Sequence, residues 1–576
     1  MTATMQRFIA LSTAFLLASC DLAPDFLTPK VETAQAWKET ETTDGLPIKD
    51  GNWKKVDEAS FAKFGQGEWW KVFANPRLDT LIDAGMKHSP TLEAARERLV
   101  QARQQEDVAK SNLWPEITGG AGASRQKQSP ANPFIPPGTE LKPYTLYRAQ
   151  VGIDYGLDMF GRARNNLKAA EQRGEAQNAL LHATRLTLQA DIAENYFALL
   201  SLAEEESLLQ RSILLRQESL KLARTRFEIG EVSDLDVARA ENELAGTESE
   251  LFAVTQQRSV TEHLLATLTG KAPVDFALPD CTMKASSVDT CDLLSPPPPI
   301  PAGLPSSLLE RRPDIAAAAR ELAARNAEIG IARAAFFPSI NLTANFGYES
   351  SELGSLFDWS SRTWLLGPAS GTFLSLPIFT GGRNTANLLL SKSSYREQVA
   401  TYRGTVLTAF KEVEDALAGV RTAQQRGVSQ SKSLSASERA YRIAKLQYEN
   451  GYTDYLTMID TERSLIAAAR GEVQARGQQY ASTVTLIRAI GGGWGETKAD
   501  AETDAAPTLP APKKPLIAPV AKETKAPPAA KKLEKTKEAL PAILAPAKPK
   551  PAPLPFGKRN PRKPVPGFEN TAPARN

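Results

Sequence analysis

Hydrophobic positions between Gly161 and Gly230 fall into two interleaved ladders with a seven-residue step. Ile192, Leu199, Ile213, Leu220 and Phe227 make one ladder, and Leu181, Leu188, Leu202 and Leu209 make the other, displaced by four. About 68 residues separate the two glycines, and none is proline. An a/d repeat sustained over that distance predicts a helix packed against other helices as a coiled coil. At 1.5 Å per residue it is roughly 100 Å long. The rungs fall to Glu206, Asn195 and Arg216 in places, which reads as faces that meet water.

On either side the period changes to two. Tyr147, Ala149, Val151, Ile153, Tyr155 and Leu157 alternate with Arg148, Gln150, Gly152, Asp154, Gly156 and Asp158. This is a strand with one apolar and one polar face. A weaker strand runs from Ile117 to Ser124, after a helix expected over about 76–112. Beyond Gly230 a tight connection, Glu231 to Asp236, leads into a second proline-free helix reaching about Leu268, so the two helices form a hairpin.

The pattern then repeats. Ile340, Leu342, Ala344, Phe346 and Tyr348 alternate with polar residues, and a further strand is expected over about Pro368–Pro377. Gly381-Gly382-Arg383 opens another long proline-free stretch. The turn Tyr448-Glu449-Asn450-Gly451 answers Phe227-Glu228-Ile229-Gly230, and Leu235/Leu456 and Gly270/Gly491 keep the same spacing. A register held over about 40 residues marks an internal duplication. Each half thus supplies two strands and one long helical hairpin. Four strands cannot close a membrane barrel, for which about eight is the minimum, and open edges are not tolerated in lipid. Three chains would supply twelve strands, and symmetry favours a ring. The reading is a mixed fold: a trimeric 12-stranded β-barrel with four strands per chain, joined to an α-helical tunnel of coiled-coil hairpins.

Composition adds the compartment. Arg7 and an apolar run from Phe8 to Ala18 make a secretory signal over 1–19 that is too short to span a bilayer. It ends in Leu17-Ala18-Ser19-Cys20, which resembles the lipobox of bacterial lipoproteins and makes Cys20 the expected site of lipid attachment. The chain has two more cysteines, Cys281 and Cys291. In an exported protein an even remainder suggests a disulfide, with two free thiols in a polar linker as the alternative. His88, His182 and His263 are scattered, so no metal site is expected. From Pro507 onward 15 Lys and Arg face 4 Asp and Glu, so +11 of charge sits there and about −8 elsewhere in a chain of net +3. A body of that sign argues against a nucleic-acid partner. The tail over 496–576 holds 17 of the 40 prolines and is expected to be disordered. No nucleophile-base arrangement and no phosphate loop is visible, so neither an enzyme nor a cofactor is expected.

Several stretches carry a family resemblance. They are Cys20 with Ala23-Pro24-Asp25-Phe26; Trp69-Trp70 with Asn75-Pro76; Phe160-Gly161-Arg162; the run Gly303 to Ile315 containing Arg311-Arg312-Pro313-Asp314; Pro377-Ile378-Phe379; and Gly491-Gly492-Gly493-Trp494. Over about 20–495 the chain resembles the TolC-like outer membrane factors of tripartite efflux systems, in their lipoprotein (NodT-like) branch. The resemblance implies a passive homotrimeric duct in the outer membrane, anchored by acyl chains such as palmitate and extending into the periplasm. Its implied partners are a periplasmic membrane-fusion adaptor, an inner-membrane RND-type pump and outer membrane lipid. Its implied cargo is drugs, metals or other small molecules; the alternative with the same fold is the exit duct of type I protein secretion. A structural lipoprotein linked to the cell wall is a third reading, which the alternating strands oppose. The expected divisions are an N-terminal extended arm over 20–67, a first repeat over 68–270, a linker and equatorial segment over 271–305, and a second repeat over 306–495. Asp21, directly after the lipid cysteine, departs from expectation, because in enteric bacteria that residue is associated with inner-membrane retention. A β-barrel nevertheless belongs in the outer membrane. The resemblance further implies a periplasmic gate at the hairpin tips formed by Tyr448, Asp460 and Arg463 with Asp236. The TolC branch has an arginine where this chain has Thr453.

Overall fold

The computed structural model describes residues 21–32, 36–41, 68–129, 136, 142–276, 297, 300, 311–368 and 373–492. Cys20, Cys281, Cys291 and the basic tail lie outside the described residues. After a short 3₁₀ turn, Trp69–Phe73, come two helices, α1 (Pro76–His88) and α2 (Pro90–Ser111). The sequence pattern suggested one helix here. It breaks because Pro90 bars Ser89 from the helical region, and Ser89 accordingly has an extended ψ of 121°.

Strands β1 (Glu116–Gln126) and β2 (Tyr144–Leu157) follow, then α3 (Arg162–Glu228) and α4 (Asp234–Leu268). The second half repeats this with α5 (Pro313–Ala334), β3 (Ser339–Ser350), β4 (Arg362–Leu366), β5 (Leu374–Ser375), α6 (Arg383–Glu449) and α7 (Tyr455–Ala489). The duplication is close to literal: α3 and α6 each have 67 residues, α4 and α7 each have 35, and α2 and α5 each have 22. Both hairpin turns use a left-handed glycine, Gly230 at φ 78° and Gly451 at φ 75°. Only glycine adopts that conformation without steric cost. Gly491 and Gly492 end α7 in the same way, at φ 92° and 62°, as a helix stop and not a phosphate loop.

The sheet is antiparallel in the order β1-β2-β3-β4, with β5 also on β3. The strand expected over 368–377 is thus only partly realised. Arg362–Leu366 pairs with the upper half of β3, and Leu374–Ser375 pairs with its lower end. They share one edge of β3 and form a single interrupted strand position. Between them Gly367, at φ 97°, still donates its N–H to the Thr343 carbonyl oxygen at 2.7 Å. The signal was blurred because the pairing with β3 comes in two short pieces and not in one regular strand.

Register confirms the two faces. Ile153 stands opposite Ile117 and Ala344, Val151 opposite Phe346, and Phe346 opposite Trp364. Directly paired residues point the same way, so these form one apolar face. Asp154, Gln150, Arg148, Asn345, Thr343 and Glu349 lie on the other, where Arg148 donates to Glu349 at 2.6 Å. The apolar face is open: Ile117 is 67% exposed and Trp364 69%.

The main core lies where α1, α2, α5 and the bases of both hairpins meet. It holds Leu78, Ile82, Leu181, Ile192, Tyr196, Leu322, Val406, Val484 and Ile487, together with Trp69 and Trp70. Trp69 donates its indole N–H to Gln189 at 3.0 Å. Residues of the arm lie on this body: Trp37 is buried edge-on against Phe410, and the Lys38 and Glu39 backbone N–H groups donate to Glu414. Most ladder positions are core, including Leu181, Leu188, Ile192, Leu199, Leu209 and Leu220. Two polar rungs do not face water as expected. Glu206 is buried and accepts from Thr255 and Arg258, and Arg216 is buried among carboxylates. Asn195, half-buried, donates to the Asp191 carbonyl oxygen one turn back.

Gly347 tests the sheet. A side chain there would run into the Ala149 carbonyl oxygen and Gln150 on β2, whereas Gly119 on β1 faces open space. Gly347→Val should therefore destabilise the sheet by about 1–3 kcal/mol, as overpacking does, and Gly119→Val should not. Thermal loss of the β-sheet circular-dichroism signal in detergent checks this; equal midpoints for the two variants would refute the pairing.

Candidate functional site at the hairpin tips

Both hairpins end together. Leu220, Ala223, Val237 and Ala240 from the first pack with Tyr448, Tyr455, Met458 and Ile459 from the second into a small core of their own. Tyr448 is buried, its ring 5.6 Å from that of Tyr455, with the Arg226 guanidinium 4.6 Å over its face. Burial pushes the Tyr441 hydroxyl up to about 12, helped by the nearby Glu462 charge.

Just behind this core lies a charged cluster. Arg216 on α3 bridges Glu243 of α4 at 3.0 Å and Glu462 of α7 at 3.2 Å, and also donates to the Glu243 carbonyl oxygen at 2.6 Å and to Thr247. Arg463 donates to Glu243 at 2.8 Å and lies 3.3 Å from Asp460. The two acids behave oppositely. The Arg463 hydrogen bond, aided by Arg216 against the cost of burial, holds the Glu243 carboxyl below its ordinary range. Burial pushes the Glu462 carboxyl up despite Arg216. Removing one partner from such a buried set costs about 3–5 kcal/mol, because the remaining charge is left without compensation.

Of the expected gate residues, Asp460 and Arg463 are brought together on one face of α7, both well exposed. Tyr448 sits apart in the tip core. Asp236 stays within its own helix turn, accepting from Ser233 at 3.2 Å and Arg239 at 3.3 Å. In this chain it touches none of the other three through a hydrogen bond or ion pair among the described residues. Glu243, Arg216 and Glu462 were not anticipated. Their one sequence signal is a charge standing where a heptad rung should be apolar, as at Arg216.

A similar pairing continues away from the tips. Arg470 meets Glu205 at 2.7 Å and Glu250 at 2.9 Å, and Arg488 approaches Asp191 at 3.6 Å. At the opposite end of α3, Asp21 accepts from the buried Asn165 side chain at 2.8 Å and from the Ala23 N–H at 2.9 Å. Arg333 and Asn326 of α5 hold the Leu22 and Pro24 carbonyl oxygens. Among the described residues no helix is long and apolar enough to cross a membrane.

A sheet with one apolar face and, among the described residues, two unpaired edges, carried on paired helical hairpins of this length, defines a subunit of a membrane channel with a helical extension. The chain belongs to the outer membrane efflux protein family, whose model matches residues 81–271 and 304–492. The probable efflux pump outer membrane protein TtgC of Pseudomonas putida is 33% identical over 506 residues, covering 86% of this chain and 98% of that protein. Outer membrane protein OprJ of Pseudomonas aeruginosa is 32% identical, covering 84% of this chain and 96% of that protein. Among solved structures, the Campylobacter jejuni CmeC outer membrane channel matches at a TM-score of 0.73 and 25% identity, over 84% of this chain and 98% of that one. The open state of the Neisseria gonorrhoeae MtrE channel matches at 0.68 and 31% identity, over 82% and 98%.

The carboxylate cluster gives a pH test. A folded value depressed for Glu243 means that its contribution is present above the unfolded carboxylate value and is lost as pH falls through the folded one. Glu243→Gln should therefore lower stability most at neutral pH, and its deficit should shrink on acidification below the ordinary carboxylate range. Thermal melts of the helical signal against pH measure this; a deficit that stays constant or grows on acidification would contradict the assignment.

Proposed function

We infer that this protein is the outer membrane channel of a tripartite efflux system, a passive homotrimeric duct fed by an inner-membrane pump through a periplasmic adaptor. The observation that carries the reading is the sheet with two open edges and one apolar face, rooted on two equal helical hairpins. Three copies close the edges into a barrel whose apolar face meets lipid and whose polar face, with Arg148, Asn345 and Glu349, lines the lumen. Relatives named for toluene and antibiotic efflux support small-molecule cargo over protein secretion. Cys20 carries the acyl anchor at the mature N-terminus, and Cys281 pairs with Cys291.

The tips form the gate. Asp460 and Arg463, with Tyr448 and Asp236, hold the periplasmic end narrow until the partners engage it. One exposed ion pair contributes only about 0–1 kcal/mol, but it recurs in every copy around the ring. Arg463 is also held by Glu243, which ties the gate to the buried cluster.

Two measurements test this reading. Asp460→Ala with Arg463→Ala should raise single-channel conductance in planar bilayers and sensitise cells to large antibiotics, with the oligomer intact; wild-type conductance would remove these residues from the gate. Ile153→Arg, on the apolar face, should cost assembly roughly 2–4 kcal/mol near mid-membrane, while Asp154→Asn costs little. Equal yields of heat-resistant oligomer would show that the faces are assigned the wrong way.

A further inference from the structure

We propose that Asp21 is a sorting signal that folding switches off: free, its carboxylate holds the lipidated chain at the inner membrane, and docked on α3 it no longer does. The proposal rests on the acyl anchor at Cys20 inferred above. Asp21 is the next residue, and an aspartate there is the retention feature that conflicts with a barrel.

The fold gives that carboxylate a built seat. Oδ1 of Asp21 accepts from the Asn165 amide at 2.8 Å and from the Ala23 N–H at 2.9 Å, while Oδ2 faces the Lys168 ammonium at 3.8 Å. Asn165 is 1% exposed. Its amide nitrogen also donates to the Gly161 carbonyl oxygen at 2.8 Å, so both of its hydrogens are used, and its own Oδ1 is buried without a partner among the described residues. A flipped amide would set oxygen against oxygen at both contacts. The orphaned acceptor is thus the consequence of aiming two donors at Gly161 and Asp21. The residues that follow are held as well. Arg333 donates to the Leu22 carbonyl oxygen at 3.0 Å, and the buried Asn326 to that of Pro24 at 2.6 Å. A Cβ at Gly330 would lie 2.8 Å from the Asn165 amide and 2.9 Å from the Ala23 methyl, so glycine lets the arm lie against α5.

The Asp21 side chain stays 52% exposed, so docking does not bury it. What docking removes is freedom. Its charge faces Lys168, its Oδ1 has two donors, and the main chain is fixed from Asp21 through Pro24. A receptor that reads the side chain after the lipid-bearing cysteine must reach it on a free N-terminal segment, which a docked arm does not offer. Among the described residues, every side chain outside the arm that makes this seat comes from α3 or α5, which pack on each other, and none from a strand. The seat therefore forms when the helical body folds, without waiting for the sheet to close. An unfolded chain keeps its signal free and stays behind, so retention acts as a check on folding.

The test follows the full-length chain in enteric cells by density-gradient separation of inner and outer membranes, with radiolabelled palmitate to report the anchor. The labelled wild type should band with the outer membrane. Asn165→Leu, which removes the seat and leaves Asp21 free, should move most of the labelled chain to the inner membrane, and Gly330→Val should do the same. Adding Asp21→Ser to either variant should return it to the outer membrane, a rescue that mere misfolding would not show. Outer-membrane banding of Asn165→Leu and Gly330→Val, inner-membrane banding of the labelled wild type, or failure of Asp21→Ser to rescue overturns the switch alone. A wild type that takes up no label overturns the anchor at Cys20 as well.

Discussion

Among the described residues β1 presents eleven residues of backbone with a strand on one side only, and the interrupted position of β4 and β5 does the same at the far end of the sheet. In water those N–H and C=O groups are satisfied; in hydrocarbon each would go unmet at several kcal/mol. The sheet is therefore incompatible with lipid until its edges are covered, and its open apolar face is incompatible with water. The closure with further copies proposed above would meet both demands.

The second organising constraint is the charge inside the helix–helix seams. Arg216, Glu206, Glu243 and Glu462 occupy places where aliphatic residues would pack well, and a buried ion pair is weak evidence for added stability. Register is the better explanation. A heptad ladder can slip by one repeat with little change in hydrophobic burial, but a slip would strand Arg216 away from both of its acids. Arg463 and Arg470, seven apart, meet Glu243 and Glu250, also seven apart, and hold the same alignment over successive turns.

Much of this was legible in the chain. The long helices, the hairpin turns at Gly230 and Gly451, the alternation in β2 and β3 and the duplication follow from periodicity and glycine placement, which are local properties. What was hidden depends on what lies across a contact. Arg216 looked like a solvent-facing rung because a sequence does not show that Glu243 and Glu462 arrive from two other helices. The break at Ser89 was available in Pro90 but masked by helical periodicity on both sides. The fourth strand was blurred because its pairing with β3 comes in two short pieces, Arg362–Leu366 and Leu374–Ser375. The pairing of Asp460 with Arg463 was legible from their three-residue spacing, whereas the tie from Arg463 to Glu243 spans 220 residues.

Equal helix lengths have a mechanical meaning. Two arms of 67 residues, each returned by 35, have the same reach, and their tips pack together. In the gate proposed above, arms of equal reach bring both turns to one level, so a rim built from them is planar. Because the duplicated halves keep these lengths residue for residue, insertions into either arm should be far less tolerated than substitutions along it.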